Sequence, residues 1–282
     1  MRVVFKYKLL VFAWVMVTFG YSQNVHWSQK IRHVSRYLGP NALPVEEMQD
    51  ARADTVPWLR LGTQYHNGTG DNTYNGLATF QAPLYSRRVS IRLHMMPYEY
   101  FSLGEQTIKE RRQFDTSTTG KGVGDLNIAT HITLWEETGK RPAVQAIINL
   151  RTASGGNLQQ ARFIDAPGYT LKFAAGKSYG NKQRLRWYVN AGLRVYQTRR
   201  PDADQNDAVV YGVGHDFIGH LFTAKVRVTG YAGYFDAGDK PLVLRMRVLY
   251  NKWKKYQAGL ELQQGNKDYD FTSYTVYLTR FF

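Results

Sequence analysis

Apolar and polar residues alternate along most of the chain from Trp58 to its last residue. In "RLRWYVNAGLRVYQ", which begins at Arg184, Leu, Trp, Val and Ala occupy every second position, and Arg, Tyr, Asn and Gly lie between them. Side chains of a β-strand point alternately to its two faces. The pattern therefore predicts strands with one apolar face and one polar face, separated by turn-rich stretches of Gly, Asn, Asp and Pro.

Twelve such segments can be distinguished, each of them ten or more residues long. They are Trp58–Asn67, Thr73–Pro83, Arg87–Tyr100, Gly122–Glu136, Arg141–Ala153, Pro167–Tyr179, Arg184–Thr198, Asp207–Phe217, His220–Phe235, Lys240–Asn251, Lys254–Gly265 and Phe271–Phe282. Strands of soluble proteins cluster at about five or six residues, whereas a tilted strand that crosses a membrane needs about 9–11. The lengths therefore favour membrane-crossing strands.

Every second connection between these segments is short, as in "LYS", "ETGK", "GNKQ", "IG" and "KWK". The remaining connections are longer or more polar. Outer-membrane barrels have short periplasmic turns and longer external loops. We therefore predict an all-β fold, a transmembrane antiparallel β-barrel of about twelve strands over residues 58–282, located in the bacterial outer membrane.

The first residues are typical of an export signal. Arg2, Lys6 and Lys8 precede an apolar run that ends at Gly20, and small residues before Gln23 place cleavage after Ser22. The alternative, a membrane anchor, is disfavoured because the apolar run is shorter than the roughly 20 residues of a spanning helix. The domains predicted before the barrel are a cleaved signal peptide, residues 1–22, and an irregular segment, residues 23–57, called the lead below.

The lead does not alternate, and Gly39, Pro40, Asn41 and Pro44 break regular structure in it. Two interpretations remain open for it. It packs in the periplasmic mouth or enters the lumen as a plug, or it is a flexible tether.

Composition narrows the function classes. The chain has 37 Lys+Arg against 22 Asp+Glu, no cysteine and a mean hydropathy of −0.44. The absence of cysteine excludes disulfides, thiolate metal sites and thiol nucleophiles, and the low hydropathy excludes a bundle of apolar helices. We expect no nucleic-acid partner, since the chain is exported and its positive charge is spread through strands without a stacking platform.

If the apolar faces point to lipid, the polar faces line the lumen, and these faces are rich in basic residues. The candidate lumen and anion-binding residues are Arg92, Arg186, Arg194, Lys225, Arg227, Arg245 and Arg247. Candidate acidic partners on inward faces are Asp125, Asp216 and Glu261. Basic rings in a low-dielectric wall favour anions, but the interiors of small barrels are also simply filled by side chains. Both interpretations stay open.

An enzyme is a third possibility. Ser90 lies close in sequence to His94, as a Ser–His lipid hydrolase would require, but no G-x-S-x-G or H-E-x-x-H motif is present. His215 and His220 flank a tight turn, and two ligands alone do not make a metal site. We therefore assign no catalytic residue, no metal and no cofactor, and expect no enzyme activity, with lipid hydrolysis kept open.

The last strand resembles the assembly signal of outer-membrane barrels, a final aromatic residue preceded by apolar residues at every second position. The residues that carry this resemblance are Tyr274, Val276, Leu278, Phe281 and Phe282. Arg280 departs from the pattern, so recognition would rest partly on Phe281. The resemblance implies the barrel assembly machinery as a partner, together with outer-membrane lipid and lipopolysaccharide.

A second resemblance involves the stretch "GKGVGDLNIATHI", in which Gly122, Gly124 and Asp125 match a G-x-G-D-[LV] strand opening. It is similar to a Gram-negative outer-membrane β-barrel family of transporters grouped with a phenol-degradation (meta-pathway) protein. "YLGPNALPV" and "ASGGNLQQARFIDAPGY" also look like such barrels. The function expected is a narrow pore or transporter for small, possibly anionic solutes. The alternative is a structural or accessory barrel with a closed lumen.

Overall fold

The computed structural model describes residues 31–84, 87–180, 182, 184–200, 203–233, 238–253 and 255–282. The predicted signal peptide and the start of the lead, up to residue 30, lie outside the described residues. No helix in the described ranges is both long and apolar enough to cross a membrane.

Alternation of apolar and polar residues produces a series of long strands. They are β1 (Trp58–Gly68), β2 (Asp71–Pro83), β3 (Val89–Leu103), β4 (Thr119–Gly122), β5 (Asn127–Trp135), β6 (Ala143–Arg151), β7 (Gly168–Tyr179), β8 (Leu185–Arg200), β9 (Ala203–Ile218), β10 (Phe222–Gly233), β11 (Leu242–Tyr250), β12 (Tyr256–Asn266) and β13 (Phe271–Phe281). A short helix, α1 (Glu105–Arg111), follows β3.

The strands close into an antiparallel barrel. Each long strand pairs with its neighbours in sequence, and β1 pairs with both β2 and β13. The short strand β4 adds to one end of β3, and β5 takes over the remaining length of β3. The predicted fold, an all-β antiparallel barrel of about twelve strands, is confirmed.

Two details of the strands differ from the sequence prediction. The predicted strand Gly122–Glu136 is interrupted, because β4 ends at Gly122 and β5 begins only at Asn127. Two connections expected to be long are tight, since β1 and β2 leave two residues between them, as do β8 and β9. Their polar residues belong to strands, which extend farther at this end of the barrel.

The two faces of the wall have opposite character. Leu193, Val209, Leu260 and Val276 are each more than half exposed on the outer face, as expected for side chains that face lipid. Polar residues fill the inner face. Near the short connections, exposed aromatic side chains form a rim, as is common where a barrel meets the membrane–water interface; they are Trp135, Trp187, Phe222, Trp253 and Tyr256.

The described part of the lead, residues 31–57, lies inside the barrel. Its first half packs into an apolar cluster at the end with the longer connections, called the long-connection end below. The cluster combines residues of the lead, of the β6–β7 connection and of the strand ends; among them are Leu38, Leu43, Leu158, Ile164, Tyr231 and Tyr269. The lead then runs to Trp58, where β1 begins at the opposite, short-connection end.

The last strand closes the barrel against β1, with Trp58 opposite Phe281. Tyr274, Val276, Leu278 and Phe282 point outward and are exposed, whereas Phe281 lines the lumen. Arg280 also points outward, and its guanidinium lies 4.9 Å from the ring centre of Phe282. The basic residue therefore covers the terminal aromatic ring.

Deleting Phe281 and Phe282 is expected to lower the fraction of chains that insert as folded barrels. The main-chain N–H of Phe282 donates to Pro57 (3.0 Å) and that of Phe281 to Lys255 (2.9 Å), and each such bond contributes about 1 kcal/mol. Heat-modifiable migration of outer-membrane fractions measures this. Phe222→Ala, which removes an aromatic ring from the same rim, is the control, and equal assembly of deletion and control would contradict the assignment.

Candidate functional site

The first half of the lead is fastened to the long-connection end by polar contacts as well as by packing. The main-chain N–H and the hydroxyl of Ser35 both donate to the carboxylate of Asp239, at 2.8 Å each. Burial raises the pKa of Asp239 above its ordinary value, although the two bonds from Ser35 act in the opposite direction. Gly39 N–H donates to the Ala161 carbonyl at 2.8 Å. The lead is thus tied to two connections of the barrel.

A buried ion cluster lies directly beneath these contacts. Arg162 is fully buried and donates to Glu99 (Nε, 2.8 Å), to Asp71 (Nη1, 2.6 Å) and to Thr73. Although burial disfavours its charge, the two neighbouring carboxylates raise the pKa of Arg162 above its ordinary value. Asn41 of the lead donates to the second oxygen of Glu99 at 2.6 Å. The cluster therefore joins the lead, the wall and the β6–β7 connection.

Carboxylates of the lead pair with a basic wall on β10 and β11, which carries the predicted residues Lys225, Arg227, Arg245 and Arg247. Glu47 contacts Arg247 directly and lies 3.6 Å from Arg227. Asp50 lies 3.6 Å from Lys225. The wall also supplies partners of its own, as predicted; Asp216 accepts from Lys225 at 2.8 Å and Glu261 accepts from Arg247 at 2.5 Å.

Three other predicted arginines hold the main chain of the lead. Arg194 donates to the Pro44 carbonyl at 2.7 Å. Arg245 donates to the carbonyls of Val45 and Glu46. Fully buried Arg186 donates twice to the Asp50 carbonyl, at 2.9 and 2.7 Å, and contacts Glu137 at the short-connection end. These six predicted basic residues therefore contact the stretch of the lead from Pro44 to Asp50.

The seventh predicted basic residue, Arg92, lies on the other side of the lumen. Its Nε donates to Gln81 at 2.5 Å, and its Nη2 lies 3.8 Å from Asp54. A cavity of about 450 Å³ is lined by the lead, by this wall and by basic residues of β10 and β11, and it extends from Tyr269 near the long-connection end to Phe281 near the other end. The open space of the lumen therefore lies beside the lead.

Arg60 was not predicted, yet it faces the same cavity. Its guanidinium lies 4.3 Å from the ring centre of Tyr277, and that of Arg247 lies 5.4 Å from the same ring. The ring fits there because residue 259 is a glycine; a Cβ at Gly259 would lie 2.2 Å from the Tyr277 ring. Arg60, Arg92 and Tyr277 thus form a cationic and aromatic surface on the cavity.

Residues of the G-x-G-D motif have structural roles. Gly124 N–H donates to the Met96 carbonyl at 2.8 Å, and a Cβ there would lie 2.9 Å from the Met96 Cβ. Asp125 pairs with Arg151 and accepts from Gly155 N–H at 2.6 Å. The motif therefore fastens the irregular stretch between β4, which ends at Gly122, and β5.

The histidine and serine residues considered for catalysis do not form a hydrolase site in the described residues. The hydroxyl of Ser90 accepts from Gln81 at 3.2 Å, and His94 Nδ1 meets Thr79 Oγ1 at 2.8 Å. His66 Nδ1 does lie 2.7 Å from Ser273 Oγ, but Ser273 is fully buried inside the barrel. A lipid could not reach that hydroxyl.

The acidic residues of the lead were not among the residues predicted from the sequence. Glu46, Glu47 and Asp50 lie within five consecutive positions of a chain that is poor in acids, and this local excess was the available signal. Glu46 accepts from Lys172 at 2.8 Å and from Thr170. Together the three carboxylates supply counter-charges that the wall lacks.

The fold is similar to those of several solved outer-membrane proteins. No family model and no curated protein matches the chain. A crystal structure of an outer membrane channel from Pseudomonas putida F1 aligns with a TM-score of 0.63 at 10% identity, covering 85% of this chain and all of that one. The NanC porin aligns with a TM-score of 0.55 at 11% identity, covering 79% and 98%. The KdgM porin in complex with disordered oligogalacturonate gives 0.50 at 8%, covering 79% and 99%. The chain therefore has the fold of a bacterial outer-membrane β-barrel.

Proposed function

We propose that this barrel is a conduit for small acidic solutes across the outer membrane, and that the lead closes it at rest. The observation that supports this proposal is the way the lead divides the lumen. A basic wall is occupied by the lead, and the remaining cavity of about 450 Å³ presents Arg60 and Arg92. The similar solved structures, which are channels and porins, support passage of small solutes.

Selectivity would arise from the uncovered part of the lumen. Arg60 and Arg92 line the cavity, and Asp54 of the lead lies 3.8 Å from Arg92, beyond hydrogen-bond distance. Guanidinium groups in a low-dielectric wall attract anions and raise their local concentration. Amide and hydroxyl groups of Gln64 and Thr79 line the same space, so a hydrated organic acid would find hydrogen-bond partners there.

The double variant Arg60→Gln/Arg92→Gln is expected to lose much of the anion preference. A guanidinium about 10 Å from a permeating anion contributes on the order of 1–2 kcal/mol at an effective dielectric constant of about 20, so the anion-to-cation permeability ratio should fall severalfold. Reversal potentials across a planar bilayer under a salt gradient measure the ratio. Arg141→Gln, in the exposed β5–β6 connection, is the control. Cation preference in the unaltered protein would refute the proposal.

A structural barrel with a closed lumen is the second candidate, favoured by the apolar cluster that fills the long-connection end. The two candidates differ in the current they would pass when the lead is loosened. A structural barrel passes no current in any variant that loosens the lead, whereas a gated conduit opens. Enzyme activity is not part of the proposal, since the similar solved structures are channels and porins.

Several features of this proposal come from the sequence. We propose that residues 1–22 are a cleaved signal peptide and residues 23–57 a plug-like lead before the barrel, residues 58–282. Lipid and lipopolysaccharide would surround the apolar outer face, and the assembly machinery would recognise the last strand. Grouping with transporters related to a phenol-degradation (meta-pathway) protein rests on Gly122, Gly124 and Asp125. N-terminal sequencing of the membrane form tests the cleavage site.

A further inference from the structure

The basic residues that hold the lead form a ladder along the barrel. In the order of the lead they are Arg194 at Pro44, Arg245 at Val45 and Glu46, Lys172 at Glu46, Arg227 and Arg247 at Glu47, and Lys225 and Arg186 at Asp50. Arg194 and Arg186 are eight positions apart on β8, about 26 Å at 3.3 Å per residue. The ladder therefore matches an extended chain, and it is much longer than a single small anion.

The basic groups of the ladder depend on the lead for part of their counter-charge. Its seven basic groups meet three carboxylates of the barrel in the described residues, those of Glu137, Asp216 and Glu261, and three more from the lead. Buried cations without partners are costly, so whatever replaces the lead must also be acidic. A single carboxylate would leave most of the ladder unpaired.

The lead does not satisfy the ladder completely. Nη1 of Arg227 is buried and makes no hydrogen bond in the described part of the chain, and the nearest carboxylate, Glu47, lies 3.6 Å away. The wall across the cavity carries amides and hydroxyls, including Gln64, Asn127 and Asn149, which the narrow peptide does not fill. Such groups suit a ligand wider than a peptide and rich in hydroxyls.

We propose that the ladder is the binding path of an extended acidic oligosaccharide and that the lead, from Pro44 to Asp50, holds the place of this ligand at rest. The carboxylates of the sugar chain pair with the ladder, and its hydroxyls meet the amide wall. This inference rests on the proposed conduit, and it specifies the substrate class of the same lumen.

The test uses the full chain in detergent and a fluorescently labelled linear pentamer of galacturonic acid. The pentamer is expected to bind at least about tenfold more tightly than the monomer at equal carboxylate concentration, because linked groups bind as one multivalent ligand. Maltopentaose, which is neutral, should not compete. Equal competition by maltopentaose, or stronger binding of pentaglutamate than of the sugar acid, would overturn the assignment.

Two variants with opposite expected effects distinguish a change in pentamer binding from a folding defect. Lys225→Gln/Arg227→Gln removes two basic groups of the ladder and should weaken pentamer binding several-fold. Glu46→Gln/Glu47→Gln/Asp50→Asn weakens the binding of the lead to the ladder, and because the lead competes with the pentamer, this variant should bind the pentamer more tightly. A folding defect would weaken both, and no change in either would refute the ladder. Absence of current in the unaltered protein and in the lead variant, with pentamer binding retained, would instead contradict the conduit alone.

Discussion

A disulfide between positions 35 and 239 is expected to hold the lumen closed in the variant Ser35→Cys/Asp239→Cys. The two side chains meet at 2.8 Å, between Ser35 Oγ and Asp239 Oδ1, so cysteines at the two positions would face each other, and a small shift of the β10–β11 connection would bring the sulfur atoms to bonding distance. The chain contains no cysteine of its own, so no competing pair forms. A covalent bond would keep the first half of the lead against the β10–β11 connection.

The oxidised variant should pass at least about tenfold less current than the same sample after reduction, because the state with the lead displaced is removed from the equilibrium. Single-channel recording in a planar bilayer before and after a reductant measures this, and mass spectrometry confirms the bond. The two single variants, treated identically, control for the reductant. Equal currents from fully cross-linked and reduced protein would show that passage does not require this part of the lead to move.

Replacing Arg162 by Ala is expected to loosen the long-connection end. The substitution leaves the buried carboxylate of Glu99 without its cation and removes one of the two arginines at Asp71, whose second partner is Arg111 at 2.6 Å. Breaking a buried ion pair in this way costs about 3–5 kcal/mol. Limited proteolysis and amide exchange at Gly39 and Gly155 should show faster opening, and denaturant unfolding a lower midpoint.

Two further variants test whether the uncompensated charge is the cause. Lys109→Ala removes an exposed basic residue from α1 and should change neither measurement. Arg162→Gln/Glu99→Gln removes both charges and should recover part of the loss, because the two glutamines are neutral and can still form hydrogen bonds, while Asp71 keeps its ion pair with Arg111. A double variant less stable than Arg162→Ala would contradict the explanation.

The barrel could be predicted because its signal is local. Alternation in segments such as Arg184–Thr198 needs no knowledge of distant residues, and pairing of successive strands follows from short connections. Loop lengths were less predictable, since β8 and β9 continue to Arg200 and Ala203 through residues that look like a polar loop. Polar residues in a strand that extends beyond the membrane carry no alternation signal.

The candidate site was predictable only in part. Inward placement of Arg245 and Arg247 follows from their alternation with apolar residues along the strand. Their partners in the lead, however, are about 200 positions away in sequence. No periodic pattern connects them. Phe281 lines the lumen, as its alternation with outward-facing Phe282 requires, although the assembly signal that the last strand resembles was expected to rest partly on it. Long-range contacts of an irregular segment are decided by the finished fold.

The path of the lead bears on how the barrel assembles. Ser35 and Trp58 lie at opposite ends of the lumen, and the seam between β1 and β13 joins residues near the two ends of the barrel sequence. A lead that pairs with the inner wall before this seam is sealed would be enclosed as the barrel closes, and no peptide would have to be threaded into the finished cylinder. A tightly folded domain fused ahead of Ile31 would have to pass unfolded, or the cylinder would close without its lead.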